Sequence, residues 1–363
     1  MLRRLGPEVL VRMRRELLGW YERNKRDLPW RRTQDPYAIW VSEVMLQQTR
    51  VAVVIDRWKE FLERFPTVEV LAAAGEQEVL ALWSGLGYYR RARMLHKAAQ
   101  AVVAEHGGIM PVTAEELKKL SGIGSYTAAA IASIAHNEHV AVVDGNVERV
   151  LSRIRGWESH DAVGEAAVRR KVEEFSASLV DPRRPGDFNQ AIMELGATVC
   201  TPRNPQCLVC PWASECRTLG EHKTPRRAAM TNREIACALV LREADAGTEV
   251  LLEQRAADNT VMPGMWELPA LEVEKVTAAG EVMTVRHAIM QVNYTVRVHP
   301  VTARDASSTG LKGTPMRWFS IDKASTMALT GLARKVLTRA GLLRTEARST
   351  RARFASPPIT ELV

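Results

Sequence analysis

The sequence has no long apolar run. Its most hydrophobic segment, YTAAAIASIA, stops at His136, Asn137, Glu138 and His139, short of the roughly 20 apolar residues that a membrane helix needs. The first fifteen residues have no signal-peptide core with a small-residue cleavage site. Arg3, Arg4, Arg12, Arg14 and Arg15 punctuate a Leu/Val/Met pattern instead, which reads as the amphipathic first helix of a cytoplasmic protein with no membrane partner. Cysteine is scarce too: there are five in 363 residues and four crowd into residues 200–216, which excludes a framework of disulfides scattered along the chain. Acidic residues are outnumbered, 42 against 50 Lys and Arg, and the net charge of +8 suits a polyanionic partner such as nucleic acid.

At this length the chain can fold as two or more compact domains. Residues 1–225 repeat apolar positions at helical spacing, with Pro and Gly at the breaks. Within them PVTAEELKKL carries a capping box, Thr113 as N-cap and Glu116 three residues on. From about Ile235 the period changes. EIACALVLRE and TEVLLEQR read as a hairpin about residues 244–247, MTVRHAIM and YTVRVHPV as further strands, and GLARKVLTRAGLL as a last helix. Between the two regions GEHKTPRRAAMTNR is a polar, basic linker, lying either on a phosphate backbone or in water. No internal repeat is present.

Cys200, Cys207, Cys210 and Cys216 follow C-x6-C-x2-C-x5-C with no histidine inside the run. Thiolates so close together repel unless a cation or cluster neutralises them. Zinc ribbons usually pair two C-x2-C knuckles across a longer gap, whereas one asymmetric loop suits wrapping a single cubane; iron–sulfur is favoured, zinc stays open, and so does a purely structural staple. Cys237, in a strand pattern, reads as a core thiol.

Two carboxylates stand out. LKKLSGIGSYTAAAIASIA is a helix, a Gly122-x-Gly124 turn and a second helix, whose glycines let backbone approach a phosphate while the amides from Ser125 onward point at it. A Gly-x-Gly turn alone is a weak signal, since many merely connect helices. It is followed by VAVVDGNVERVLSRI, which places Asp144 between an apolar run and a new helix. Upstream, DPYAIWVSEVMLQQTRV sets Glu43 among Ile39, Trp40, Val41, Val44, Met45 and Leu46. A carboxyl so surrounded finds a partner or rises in pKa and becomes an acid usable near neutrality; the alternative is a glutamate facing solvent from an amphipathic helix.

The order hairpin, aspartate, four cysteines resembles the helix–hairpin–helix DNA glycosylase superfamily. LPWR, WVSEVMLQQTRV and GLGYYRRAR resemble its adenine glycosylase branch, the MutY family, nearly residue for residue over about 15–217, and VLLEQRAADNTVMPGMWELPALE resembles the opening of that family's Nudix-like domain over 233–343. The resemblance implies a mainly α N-terminal helix–hairpin–helix glycosylase with an iron–sulfur domain, plus an α+β Nudix-like C-terminal domain. The implied boundaries are a catalytic region over 1–217 (a six-helix barrel about 26–145, an iron–sulfur domain from 1–25 and 146–217), a linker over 218–232, recognition over 233–343, and a basic, disordered tail over 344–363.

By the same resemblance Glu43 protonates adenine N7, Asp144 steadies or transiently captures the sugar cation, and Tyr126 and Asn146 support the two carboxylates. Tyr126 stands where strand-cutting members carry a lysine, which implies a glycosylase without lyase chemistry. Trp30 and Arg31 line the adenine pocket and Gln190 bonds the extruded base. Gln48 and Tyr88 push into the base stack, and Gly122, Gly124 and Ser125 hold a phosphate. The four cysteines hold a [4Fe–4S] cluster, and the partner is double-stranded DNA with adenine opposite 8-oxoguanine or guanine, bound by a monomer at a bacterial nucleoid. The Nudix phosphohydrolase signature is absent, so no nucleotide hydrolysis is expected. The family reads the opposite base through an aromatic-Ser-His loop after a His-Ala pair; here His287-Ala288 is followed by Ile289, Met290 and Gln291, a departure that puts the lesion contact in question. Other readings are a thymine or uracil mismatch glycosylase of the same superfamily and a nonenzymatic iron–sulfur DNA-binding redox sensor.

Overall fold

The computed structural model describes residues 6–158, 162–222, 229–245, 247–271, 283–306 and 315–343. The expected tail at 344–363 lies outside them, as do residues 1–5 of the expected first helix and 223–228 of the expected linker. The chain divides into two compact units, Met1–Arg227 and Ala228–Val363.

The first unit is helical: α1 (Pro7–Asn24), α2 (Pro36–Leu46), α3 (Val51–Arg64), α4 (Val68–Ala73), α5 (Glu76–Leu82), α6 (Arg90–His106), α7 (Ala114–Leu117), α8 (Ser125–His136), α9 (Gly145–Arg155), α10 (Ala162–Leu179) and α11 (Pro185–Thr198). Short 3-10 turns cover Pro29–Arg32, Cys207–Val209 and Ala213–Glu215. The first helix begins at Pro7, where a missing N–H goes unneeded, and runs further than the arginine-rich pattern suggests. Thr113 caps α7 as expected, its hydroxyl accepting from the Glu116 amide at 3.3 Å and donating to Glu116 Oε2 at 3.0 Å.

Two features of this unit position the site. In α2 every residue from Tyr37 to Met45 is buried, Glu43 included, so this helix lies in the core and not on a wet surface. It packs on α8, and α11 packs on α1, α8 and α9. Two glycines let α11 press backbone to backbone: a Cβ on Gly186 would stand 2.5 Å from the Ser133 carbonyl oxygen, and one on Gly196 would stand 2.7 Å from Asn146 Cβ. The cysteine loop closes on the same core, with Trp212 fully buried against Phe188 and donating through Nε1 to the Met13 carbonyl at 2.9 Å.

The second unit is a mixed sheet with short helices. Its elements are β1 (Thr231–Ala244), β2 (Gly247–Gln254), β3 (Trp266–Glu267), β4 (Ala270–Leu271), β5 (Met283–Ile289), β6 (Val292–Thr302), α12 (Ala303–Ala306), β7 (Met316–Ser320), α13 (Ile321–Ser325) and α14 (Gly331–Arg339). The strands run β3-β2-β1-β6-β5, with β4 also on β1 and β7 also on β2. The expected β1–β2 hairpin forms, Leu241 opposite Val250, and β1 runs parallel to β6 from Thr231 opposite Val292 to Leu241 opposite Thr302. Thr231 and Asn232, in the expected linker, are thus already strand. One face of the sheet buries Val250, Leu252, Val296 and Val298 under Val336 and Leu337 of α14. Cys237 is buried, as expected of a core thiol.

Candidate active site

Glu43 is 5% exposed, which removes the solvent-facing alternative. Burial pushes its carboxyl up to about 7; the Tyr126 hydroxyl and the Arg31 charge work against the rise, and the charge of Asp144 adds to it. Tyr126 donates to Glu43 Oε2 at 2.6 Å, from the first turn of α8. Its own phenol is held well above the usual range, chiefly by burial and then by the two carboxylates, so it stays a neutral donor.

Asp144 is the N-cap of α9. Its Oδ1 accepts from the amides of Asn146 at 2.9 Å and Val147 at 2.8 Å, and its Oδ2 accepts from Asn146 Nδ2 at 2.8 Å. The positive end of the α9 dipole favours negative charge at this spot. Asn146 Oδ1 is held in turn by Arg149 Nη2 at 2.8 Å, and the same guanidinium reaches the Gly196 carbonyl at 2.7 Å and the Cys200 carbonyl at 2.9 Å. Glu43, Asp144, Tyr126, Asn146 and Arg31 therefore form one electrostatic group.

A second cluster carries the expected base-pocket residues. Arg31 bonds Glu194 Oε2 at 2.8 Å and lies over the Tyr21 ring at 5.4 Å. Arg26 grips both Glu194 oxygens at 2.7 Å and adds its backbone amide at 3.0 Å. Although burial works to raise it, Glu194 is held down at about 2 by these bonds to Arg26 and Arg31. The Tyr21 hydroxyl donates to Gln190 Oε1 at 3.4 Å, one turn before Glu194 on α11. Trp30 is buried edge-on against Trp58, ring centroids 6.1 Å apart. The sequence reading missed Tyr21, Arg26, Glu194 and Arg149. A signal for Glu194 existed, since it follows Ala191, Ile192 and Met193 as closely as Glu43 follows its own apolar neighbours.

The remaining first-unit residues lie on exposed turns. Gly122 needs its positive φ of 79°, and a Cβ there would stand 2.6 Å from Met94 Cβ; Gly124, the N-cap of α8, has open space before it, and Ser125 is exposed. Gln48 and Tyr88 are both exposed. In the second unit Met290 and Gln291 are the two-residue turn between β5 and β6, with Met290 76% exposed and Ile289 half-buried before it.

Cys200, Cys207, Cys210 and Cys216 line one cavity with Val150 and Val199. Among the described residues no three Cys, His, Asp or Glu side chains are close enough to grip a single metal ion. Burial pushes the Cys210 thiol up to about 11, with the other three cysteines adding to the rise, so four thiolates need positive charge in their midst. The residues fit a cluster. Arg153 Nη1 and the Leu219 amide donate toward the sulfurs of Cys200 at 3.5 Å and Cys216 at 3.4 Å.

Residues 41–176 match the model of the HhH-GPD superfamily base excision DNA repair proteins, and residues 200–216 match the iron–sulfur binding domain of endonuclease III. A solved thermostable thymine-DNA glycosylase is similar over 58% of this chain and 97% of its own, with a TM-score of 0.53 and 27% identity. Fold and site thus define a helix–hairpin–helix protein with a four-cysteine [4Fe–4S] site. Adenine DNA glycosylase of Homo sapiens is 41% identical over 317 residues, covering 72% of this chain and 58% of that protein. Adenine DNA glycosylase of Mycolicibacterium smegmatis is 45% identical over 203 residues, covering 56% and 68%. The chain belongs to the adenine DNA glycosylase family. It spans about half the length of the curated relatives it matches, 58% for human and 41% for rat.

Proposed function

We propose that the chain hydrolyses the N-glycosidic bond of adenine mispaired with 8-oxoguanine or guanine in duplex DNA. One observation carries this reading: a buried carboxyl, Glu43, titrating near neutrality 2.6 Å from a neutral phenol and within the field of a second, N-capping carboxylate, Asp144. Glu43 in its neutral form gives its proton to N7 of an extruded adenine. The C1′–N9 electron pair then leaves with the base, and the sugar remains as an oxocarbenium cation. Asp144, fixed by three donors at the start of α9, faces that cation until water adds to C1′ and surrenders a proton to a carboxylate. Tyr126 supplies no amine, so cleavage stops at the base.

Arg31, Trp30 and Gln190 enclose the adenine, Gln48 and Tyr88 fill the gap that it leaves, and Gly122, Gly124 and Ser125 seat a backbone phosphate. The four cysteines would hold the cluster, whose iron–thiolate bonds close their loop. The catalytic region divides as a barrel over 26–145 and an iron–sulfur domain from 1–25 and 146–217. The Met290-Gln291 turn, with Ile289, meets the opposite base, and without a histidine it discriminates 8-oxoguanine from guanine less strongly. The partner is double-stranded DNA, bound by one copy of the chain.

The test is a single-turnover assay on duplexes pairing adenine with 8-oxoguanine or guanine, with a thymine–guanine duplex alongside. Adenine should be released from the first two and thymine should stay; Glu43→Gln should bind the duplexes and release nothing. Thymine release, or excision by Glu43→Gln at the wild-type rate, would overturn the reading.

A further inference from the structure

Gln48 and Tyr88 share a backbone state that side chains rarely adopt, with φ of 57° and 48°. They stand on separate loops, one after α2 and one before α6. Both loops converge on Arg91 in the first turn of α6. Arg91 Nη1 donates to the carbonyls of Val44 at 2.7 Å, Met45 at 2.9 Å and Gln47 at 2.5 Å. Its Nη2 donates to Thr49 Oγ1 at 3.0 Å and to the carbonyls of Leu86 at 3.0 Å and Gly87 at 3.1 Å. Four N–H groups thus serve six acceptors, and these bracket Gln48 on both sides and Tyr88 from behind.

Further contacts reinforce the junction. The guanidinium lies over the Trp83 ring at 5.4 Å and the Tyr88 ring at 5.6 Å, Trp83 Nε1 donates to the Gly87 carbonyl at 3.2 Å, and Thr49 Oγ1 lies 3.3 Å from the Leu86 carbonyl. The carbonyls that end α2 have no further turn of helix to accept from, and a cation at the negative end of the helix dipole is favourable. A lysine could supply three donors from one point, but it could not spread a planar fork across two loops.

A side chain that displaces a base from a stack must resist the recoil of that stack. Two exposed residues on independently mobile loops would have to be ordered on each encounter, at an entropic cost that preorganisation removes. We propose that Arg91 is a positioning residue that braces Gln48 and Tyr88 into one wedge, so that extrusion of the base, and not cleavage of its glycosidic bond, depends on it. This rests on the assignment of Gln48 and Tyr88 to the DNA stack made above.

The test compares wild type with Arg91→Lys, following extrusion by the fluorescence of 2-aminopurine beside the mismatch and following excision by single turnover. Arg91→Lys should slow both by the same factor, about tenfold, equivalent to about 1.4 kcal/mol. The alkaline limb of its pH–rate profile should stay where wild type has it. The double variant with Gln48→Ala should lose clearly less than the product of the two single losses, because the two side chains act in one wedge. If Arg91→Lys does not fold, Thr49→Val removes one of the six acceptors and should show a smaller parallel loss in extrusion and excision. Unchanged extrusion with slowed excision, no loss in either, or multiplicative losses in the double variant would overturn the proposal. A wild-type protein that releases no adenine would instead overturn the function proposed above.

Discussion

The Tyr126 hydroxyl donates to Glu43 Oε2 across 2.6 Å, and it is the strongest influence opposing the rise that burial imposes on that carboxyl. Removing it gives a signed result. If Glu43 is the acid proposed above, it acts while protonated, and excision should fade as pH rises through about 7 in the wild type. In Tyr126→Phe the carboxyl loses a bond that favours its charged form and rises further, so the alkaline limb should move to higher pH. Single-turnover rates from pH 5 to about 9 measure this; an unmoved or lowered limb would show that Glu43 is not the titrating acid.

Glu43 also leaves a mark on stability. Its folded pKa, about 7, lies above the ordinary 4.5, so the stability it contributes is fully present below pH 4.5 and is lost as pH rises through 7. Glu43→Gln removes that dependence. Relative to wild type, the variant should gain on the order of 3 kcal/mol between those two pH values. Urea unfolding at pH 4.5 and pH 8 checks it, and a gain of equal size at both would point to packing.

Glu194 behaves in the opposite sense. Its pKa is depressed to about 2 by Arg26 and Arg31, so the clamp contributes stability that is present above pH 4.5 and lost as pH falls toward 2. Its side chain is 1% exposed, and Glu194→Ala strands two cations. The expected loss at pH 7 is about 3 to 5 kcal/mol, shrinking with acidification. A loss that does not depend on pH would mean that shape, and not charge, holds this corner.

The two hairpin glycines should separate folding from DNA affinity. Gly122→Ala meets Met94 at 2.6 Å and forces an alanine to a φ of 79°, so it should lower the melting temperature, at a cost of about 1 to 3 kcal/mol. Gly124→Ala has open space and an ordinary φ of −84°, so it should fold normally. Its methyl would face the approaching phosphate, and titration with duplex DNA should show weakened binding. Equal affinity in Gly124→Ala and wild type would remove this turn from the DNA interface.

The candidate groups were legible wherever they sit in a contiguous stretch. The cysteine spacing, the aspartate just before a helix, the glutamate in an apolar run and the capping box at Thr113 all announce themselves within a few residues. What joins distant segments was not. The Glu194 clamp assembles Tyr21 at the end of α1, Arg26 just beyond it and a turn of α11, and no local periodicity reports such a meeting. The parallel pairing of β1 with β6, which links Thr231 to Val292, is similarly silent, because alternation marks a strand without choosing its neighbour. Arginines on an apolar pattern mark a face of α1 without marking its limits, which among the described residues are Pro7 and Asn24.

Helix α11 meets its neighbours at two bare backbone positions, Gly186 against α8 and Gly196 against α9. The side chains between them, Gln190 and Glu194, lie on the wall of the proposed pocket, while the proposed proton donor, Glu43, and the proposed cation-facing carboxylate, Asp144, sit on other segments, α2 and the start of α9. On the proposed reading, selection of the base and its removal fall to separate parts that come into close backbone approach at those two glycines. A lineage could retailor the residues between those points, admitting a different purine, while the machinery that breaks the bond keeps its alignment.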